Sequence, residues 1–301
     1  MRPCIRTLPG RSKKEKKEMN VVAFRNGVKM PQEGFGVFQI PDYQEAKRVV
    51  LEALDCGYRM VDTAAAYMNE KAVGDGIRES GVRREDVFVT SKIWVQDIGY
   101  EKTKAAIDRA LSEMGFDYLD LMLLHQPMND YYGGWRALEE AYRAGKLRAI
   151  GMANCYPQIL ADLCLSVEIP PMLNQVELHP FFQQQLSLDT MREYGVVPQA
   201  WGSFAAGKFG IFTHPVLTGI GKRYGITAAL VALRWRIQRG VCVIPKSTHR
   251  ERLLENLNVW DFELTPEDME QIRALDMGHS EIVDHTSPAF VRMLHELKIH
   301  D

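Results

Sequence analysis

The sequence predicts an α/β fold: a closed (β/α)8 TIM barrel with an N-terminal β-hairpin. Short apolar runs alternate with segments of helical composition and period, and this alternation occurs eight times along the 301 residues. Runs such as residues 121–124 have no polar face, which is typical of parallel strands that are buried on both sides. A closed eight-stranded barrel accommodates eight such units in one domain of this length.

The hairpin is the first predicted element. Asn26 and Gly27 lie between the apolar flanks of residues 21–30, and this dipeptide is the strongest short-range signal for a hairpin turn. We expect the hairpin to plug or cap the structure that follows it.

The strands and helices of the barrel follow in order. We predict strands at residues 34–39, 59–63, 87–92, 119–125, 148–154, 172–178, 197–201 and 241–246. We predict helices near residues 43–55, 69–80, 101–114, 133–144, 157–165, 184–194, 226–239 and 249–257. Several of these helices end at a glycine, the residue that most easily adopts the left-handed conformation closing a helix. These glycines are Gly57, Gly81, Gly115, Gly145, Gly195 and Gly240.

A doubly wound open sheet is the alternative architecture. A dinucleotide-binding sheet of that type has the motif GxGxxG directly after its first strand. The nearest string, residues 219–225, has a different spacing and follows no predicted strand, so it indicates a helix end and a turn. The barrel is therefore favoured, and any nucleotide is expected to bind in another way.

Composition and charge exclude several classes of protein. The chain has 37 Lys+Arg and 39 Asp+Glu, and residues 1–18 hold seven of the basic and two of the acidic side chains. This segment is therefore +5 and residues 19–301 are −7, so no broad basic surface for nucleic acid is expected. We expect a disordered basic leader at 1–18 and a single barrel domain at 19–301. Because residues 1–18 lack an apolar core of signal-peptide length and no apolar run reaches the ~18 residues of a membrane span, we expect a cytoplasmic protein without a membrane partner. We also expect a monomer.

The cysteines give no sign of a metal site or a disulfide framework. They are odd in number and scattered, without a CxxC pair or a Cys/His cluster at zinc spacing. We expect reduced thiols, most of them in the core, and no bound metal. The cysteines are Cys4, Cys56, Cys155, Cys164 and Cys242.

Polar residues at the ends of the apolar runs are the candidates for chemistry, because the carboxyl ends of barrel strands meet at one face. Each alone has an ordinary structural interpretation, such as a helix cap, a rim lysine or a core histidine. Together, on successive strands, they favour a single site. In order they are Asp62 with Tyr67 on the loop after it, Lys92, His125, Asn154, Gln175, Trp201, Lys246 and Ser247.

Four of these residues form a set that can protonate an alkoxide. A tyrosine with a pKa of about 10 is a poor acid at neutral pH, but a neighbouring ammonium lowers that pKa. Lys92 can supply this charge to Tyr67, and Asp62 can keep a buried Lys92 protonated. His125 can donate a hydrogen bond to a substrate carbonyl oxygen and orient it.

Several segments of the chain together resemble the aldo-keto reductases, in particular bacterial members of the diketogluconate reductase type. The similarity runs in order from about residue 20 to residue 285. It is carried by residues 57–70, 91–92, 124–127, 174–180 and 244–247, with Arg252, Glu255 and Asn256.

The resemblance implies an oxidoreductase with a catalytic tetrad of Asp62, Tyr67, Lys92 and His125, in which Tyr67 is the general acid. It implies NADPH/NADP+ as the cofactor, extended across the barrel mouth. Asn154 and Gln175 would hold the nicotinamide carboxamide, and Trp201 would stack on the nicotinamide ring. Lys246, Ser247 and Arg252 would bind the 2′-phosphate, Glu255 and Asn256 would lie near the adenine, and Trp94 would line the substrate pocket.

The chain departs from the family pattern at two positions. Ala153 stands where a serine usually precedes the carboxamide-binding asparagine, and Gln126 stands where a tryptophan often follows the catalytic histidine. The short connection 126–134 and the modest segment 280–301 predict a shallow, open pocket. We therefore expect small polar carbonyl substrates such as diketo-sugar acids, methylglyoxal or simple aldehydes.

Two other functions remain as alternatives. A lyase could use Lys92 as a Schiff-base amine, and a non-catalytic nucleotide-sensing subunit could use the same scaffold. Pairing with Asp62 argues against the lyase because it keeps Lys92 protonated and non-nucleophilic. The complete tetrad argues against the sensor.

Overall fold

The computed structural model describes residues 19–301, so the predicted leader at 1–18 lies outside the described residues. The strands are β1 (Val21–Ala23), β2 (Lys29–Pro31), β3 (Phe35–Gly36), β4 (Met60–Asp62), β5 (Phe88–Ile93), β6 (Leu121–Leu124), β7 (Ile150–Ala153), β8 (Leu173–Glu177), β9 (Val197–Trp201) and β10 (Cys242–Val243). The helices are α1 (Tyr43–Cys56), α2 (Glu70–Glu79), α3 (Tyr100–Met114), α4 (Tyr131–Arg143), α5 (Pro157–Ser166), α6 (Gln185–Glu193), α7 (Pro215–Tyr224), α8 (Ala228–Gln238), α9 (Arg250–Leu257), α10 (Pro266–Arg273) and α11 (Pro288–Glu296).

Strands β3 to β10 form one parallel sheet in sequence order. The sheet closes on itself, because Glu33 forms a parallel bridge with Val243 and the Gly34 amide donates to the Val243 carbonyl at 2.8 Å. The predicted TIM barrel is therefore confirmed. Most strands are shorter than predicted. The last stops at Val243, two residues before Pro245, which has no amide hydrogen to donate to a strand ladder.

The N-terminal hairpin closes one end of the barrel, as predicted. Strands β1 and β2 pair antiparallel, and Gly27 adopts the left-handed conformation at φ +85°. Phe24 and Met30 are buried against Phe88 and other side chains inside the barrel. The hairpin therefore contributes to the core.

All eight predicted helices are present, and the glycines predicted to end them adopt positive φ. Three further helices, α7, α10 and α11, were not predicted. Residues 219–225 form the end of α7 and its left-handed cap, with Gly225 at φ +69°, so the string is a helix end as expected. Among the helices of residues 19–301 no single one has the length and hydropathy of a membrane span, although α7 and α8 together, bent by 88°, meet those criteria.

Helices α2 and α3 pack closely because Gly74 has no side chain. A Cβ atom built on Gly74 would lie 2.2 Å from the carbonyl oxygen of Met114, which is far inside van der Waals contact. The clash involves backbone, so a side-chain rotation cannot relieve it.

We expect Gly74→Ala to lower the free energy of unfolding by about 1–3 kcal/mol, the usual range for overpacking a core. Urea unfolding followed by circular dichroism measures this loss. Gly219→Ala in α7 is the matched control, because a Cβ there meets nothing within 4 Å. That variant should be neutral or up to about 1 kcal/mol more stable, since alanine favours a helix. Equal stability of the two variants would contradict the close approach.

Candidate active site

A buried ion pair lies at the centre of the candidate site. Asp62 ends β4 and Lys92 lies in the neighbouring β5, so pairing of the two strands brings the side chains together. The Lys92 Nζ atom lies 2.6 Å from Asp62 Oδ1 and also donates to the Thr63 carbonyl at 2.8 Å. Its third hydrogen bond, at 3.2 Å, goes to the Tyr67 hydroxyl. Lys92 is fully buried, so these three acceptors replace the water it loses.

The loop after β4 is anchored at its far end by Asn69. Thr63 Oγ1 donates to Asn69 Oδ1 at 2.6 Å, and Asn69 Nδ2 donates to the carbonyls of Val37 and Ile40, each at 3.0 Å. The short 3₁₀ helix Ala65–Tyr67 lies between these anchors. Tyr67 is therefore held against Lys92 by both ends of its loop.

His125 lies directly after β6 and faces Tyr67. The ring centroids are 5.9 Å apart and the rings are nearly perpendicular, at 76°. The Trp94 ring also packs edge-on against the His125 ring, with the ring centroids 5.1 Å apart. The buried Nδ1 atom of His125 has no hydrogen-bond partner among the described residues. The structure thus brings together all four members of the predicted tetrad.

The electrostatics of the site agree with one expectation, correct another and add the charge state of His125. Burial lowers the pKa of Lys92, but the Asp62 charge and then Tyr67 raise it by more, so the ammonium is retained as expected. Burial and the nearby Lys92 charge hold the pKa of His125 well below its usual value, so its imidazole is neutral. Burial raises the pKa of Tyr67 although Lys92 opposes it. The predicted net lowering of the Tyr67 pKa is therefore wrong: desolvation outweighs the ammonium.

Gln175 extends the ion pair into a longer network. Its Nε2 atom donates to Asp62 Oδ2 at 2.8 Å and to Gln199 Oε1 at 2.7 Å. Its Oε1 atom makes no hydrogen bond within residues 19–301 and is the atom left for a ligand. Sequence reasoning missed Gln199, although a glutamine inside an apolar strand was a usable signal.

Asn154 links two other predicted site residues. Its Nδ2 atom donates to the His125 carbonyl at 3.0 Å, and its Oδ1 atom accepts from Trp201 Nε1 at 2.8 Å. Ala153, next to it, is buried and supplies no hydroxyl. Ser203, in the loop after β9, is a second residue that sequence reasoning missed: its buried Oγ has no partner among the described residues.

The predicted phosphate-binding residues lie at the start of α9. Lys246 and Arg252 are exposed and form no ion pair within the described part of the chain. Ser247 Oγ accepts from the His249 amide at 3.1 Å, and His249 precedes the first residue of α9. A helix N-terminus with two unpaired cations and a hydroxyl fits a phosphate dianion.

The two predicted adenine neighbours already have partners in the protein. Glu255 accepts a hydrogen bond from Thr227 Oγ1 at 2.7 Å. Asn256 is buried and hydrogen-bonded to the side chain of Tyr58.

The C-terminal segment covers more of the barrel mouth than its length indicated. We call residues 280–300 the C-terminal strap. Trp94 Nε1 donates to the Leu297 carbonyl at 2.8 Å, and Trp94 packs in a cluster with Leu294. Near the start of the strap, His285 contacts Gln126 and Trp201. The prediction of an open pocket is therefore wrong on this side.

Comparison with known proteins agrees with this fold and site. Residues 34–277 match the model of the aldo/keto reductase family. A 9,11-endoperoxide prostaglandin H2 reductase of Trypanosoma cruzi is 46% identical over 259 residues, covering 85% of this chain and 92% of that protein. A glyoxal reductase of Bacillus subtilis is 45% identical over 258 residues, covering 85% and 93%. The crystal structure of a Bombyx mori aldo-keto reductase in complex with NADP has a TM-score of 0.85 at 29% identity, covering 90% of this chain and 96% of that one.

The chain therefore belongs to the aldo/keto reductase family. It is an NADP-dependent oxidoreductase that acts on carbonyl compounds.

The neutral state of His125 can be tested by NMR. We expect its imidazole resonances to titrate well below pH 6.5, because burial and Lys92 disfavour the imidazolium. The unfolded chain takes up this proton first on acidification, so His125 should make the fold less stable as the pH falls below about 6.5. His279 is the internal control, since its hydrogen bond to Glu281 raises its pKa. A His125 that titrated with or above His279 would refute the assignment.

Proposed function

We propose that this protein reduces small polar carbonyl compounds to alcohols with NADPH, using Tyr67 as the general acid. The observation that carries the proposal is the contact of Lys92 Nζ with both Asp62 and the Tyr67 hydroxyl, with His125 opposite. No other group among the described residues combines a titratable hydroxyl with a buried ammonium in this way.

The residues of the barrel mouth fit the nucleotide. Gln175 Oε1 is a free acceptor for the carboxamide, and Lys246, Ser247 and Arg252 would hold the 2′-phosphate. Without a hydroxyl at Ala153, the nicotinamide loses one neutral hydrogen bond, which weakens its binding by on the order of 1 kcal/mol. When bound, NADPH supplies the hydride.

Tyr67 is arranged to donate its proton outward. Because Lys92 donates to the hydroxyl oxygen, the hydroxyl hydrogen of Tyr67 is left for the substrate oxygen. The ammonium stabilises the phenolate as the proton leaves, and Asp62 keeps the ammonium charged. The raised pKa of Tyr67 means that its proton is present at neutral pH and leaves only as negative charge develops on the substrate oxygen.

His125 has a separate role as an orienting donor. A neutral imidazole can donate one hydrogen bond to the carbonyl oxygen without competing with Tyr67 as an acid. Its carbonyl is fixed by Asn154 and its ring by Trp94, so the direction of the donor is set before the substrate binds.

Small oxygen-rich carbonyls are the substrates that we favour. Diketo-sugar acids, methylglyoxal and simple aldehydes all fit the polar groups of the mouth, and the similarity to a glyoxal reductase supports small dicarbonyls. Schiff-base chemistry is disfavoured because all three hydrogen-bonding positions of Lys92 Nζ are occupied and its charge is paired. The cytoplasmic location and the monomeric state stay predictions.

Replacing Tyr67 by phenylalanine tests the acid. We expect Tyr67→Phe to lower kcat by about 10²–10⁴-fold, the usual contribution of a general acid, while NADPH affinity stays nearly unchanged. The decrease of NADPH absorbance with a panel of aldehydes measures the rate. Tyr43→Phe, which removes an exposed hydroxyl bound to Asp75, is the control and should keep full activity. Wild-type turnover by Tyr67→Phe would mean that another group is the acid. Tight NADPH binding by the wild type without turnover of any carbonyl would favour a nucleotide sensor.

Removing a phosphate-binding cation tests cofactor selection. We expect Arg252→Ala or Lys246→Ala to weaken NADPH binding about ten- to hundredfold, because a charge-assisted hydrogen bond contributes roughly 1.5–3 kcal/mol. NADH has no 2′-phosphate, so its affinity should change little. Quenching of tryptophan fluorescence measures both affinities. Arg250→Ala is the control, since that neighbouring side chain is paired with Asp55. Equal losses for the two nucleotides would remove this site from the proposal.

A further inference from the structure

The C-terminal strap is fastened at both ends to the barrel mouth. Ser280 Oγ donates to the carboxylate of Glu177, at the end of β8, at 2.7 Å and 2.9 Å. At the other end His300 Nε2 lies 2.9 Å from both oxygens of Asp97, in the loop after β5. The chain between these attachments must therefore cross the mouth near the tetrad.

His285 is the strap residue that faces the strand ends. Its Nε2 lies 3.4 Å from Gln126 Nε2, and its Nδ1 lies 3.4 Å from the Tyr156 hydroxyl. Its ring also lies 6.4 Å from that of Trp201. Gln126 directly follows the catalytic candidate His125, so the imidazole of His285 forms the next part of the same pocket wall.

Both ring nitrogens of His285 are weakly engaged. Both separations, at 3.4 Å, lie near the outer limit for a hydrogen bond. In addition, the buried Oε1 of Gln126 has no partner among the described residues. A half-buried imidazole beside a buried amide whose oxygen has no partner leaves hydrogen-bonding capacity unused. A ligand oxygen that lies beside the two groups could accept a hydrogen bond from the imidazole or from the amide nitrogen.

We propose that His285, together with Gln126, recognises a second, uncharged oxygen next to the reacting carbonyl and so determines substrate specificity. This inference rests on the proposed reductase function. It favours substrates with a carbonyl or hydroxyl oxygen on the neighbouring carbon over aldehydes without one.

The charges around His285 favour a neutral oxygen over a carboxylate. The titratable groups that face it are His125 and Tyr156 from the strand ends, Glu177 from the end of β8, and Asp284 on the strap itself. Burial lowers the pKa of His285 although both carboxylates oppose it, so the ring is neutral near pH 7. A substrate carboxylate would meet an uncharged ring and the negative charges of Glu177 and Asp284. On acidification the ring gains a proton and becomes a better partner for an anion.

Two aldehydes of matched size test the inference. Methylglyoxal carries a second carbonyl oxygen next to the aldehyde, whereas propanal does not. We expect His285→Leu to lower kcat/KM for methylglyoxal about three- to tenfold, the effect of one lost hydrogen bond. The kcat/KM for propanal should change less than about twofold. His285→Gln keeps a hydrogen-bonding group and should recover most of the preference. His279→Leu, which replaces an exposed histidine directly before the strap, is the matched control and should behave like the wild type.

A pH series gives an independent readout. Glyoxylate replaces the second carbonyl by a carboxylate. Because burial lowers the pKa of His285, the wild-type ratio of glyoxylate to methylglyoxal reduction should rise only as the pH falls below about 6.5. The ratio should not rise in His285→Leu. Equal losses on methylglyoxal and propanal would assign His285 a purely structural role, and no loss on either would place it outside the pocket. Those results overturn the inference but not the proposed function, because the wild type still reduces both aldehydes. Failure of the wild type to oxidise NADPH with any aldehyde would instead overturn the proposed function.

Discussion

The buried ion pair of Asp62 and Lys92 is the constraint on which the rest of the site depends. A lysine without solvent exposure keeps its charge only if carboxylate and carbonyl oxygens surround it, and strands β4 and β5 supply them together with the Tyr67 loop. Removing either partner would leave the other as an unpaired charge in the core. The stability of the barrel therefore depends on the same two side chains that support the proposed proton donor.

The two ends of the proposed cofactor region use charge in opposite ways. At the reacting end the charges are buried and paired, so solvent and salt have little influence on them. At the start of α9, the proposed phosphate-binding residues Lys246 and Arg252 are exposed and unpaired within the described residues, so ionic strength screens their charges.

Local patterns were sufficient to predict the barrel and the convergence of Asp62, Tyr67, Lys92 and His125. A charged or polar side chain is costly at the end of a strand that is buried on both faces, unless it meets other polar groups there. The positions of Lys92 and His125 at such strand ends therefore indicated a shared polar site. The direction of the shift in the Tyr67 pKa could not be predicted from such patterns, because it depends on how far the loop is desolvated. Gln199 and the strap contacts of His285 were missed for a related reason. They are set by packing between segments that are distant in the chain.

The strap separates two requirements that often conflict in an enzyme. The proton donor and its supporting charges belong to a closed barrel, where the packing tolerates few substitutions. The wall opposite them is contributed by a segment attached mainly through Ser280, Leu297 and His300. Substitutions between these attachments can reshape the pocket without disturbing the ion pair. This arrangement makes the scaffold evolvable, because new substrate preferences can arise in the strap while the catalytic apparatus stays fixed.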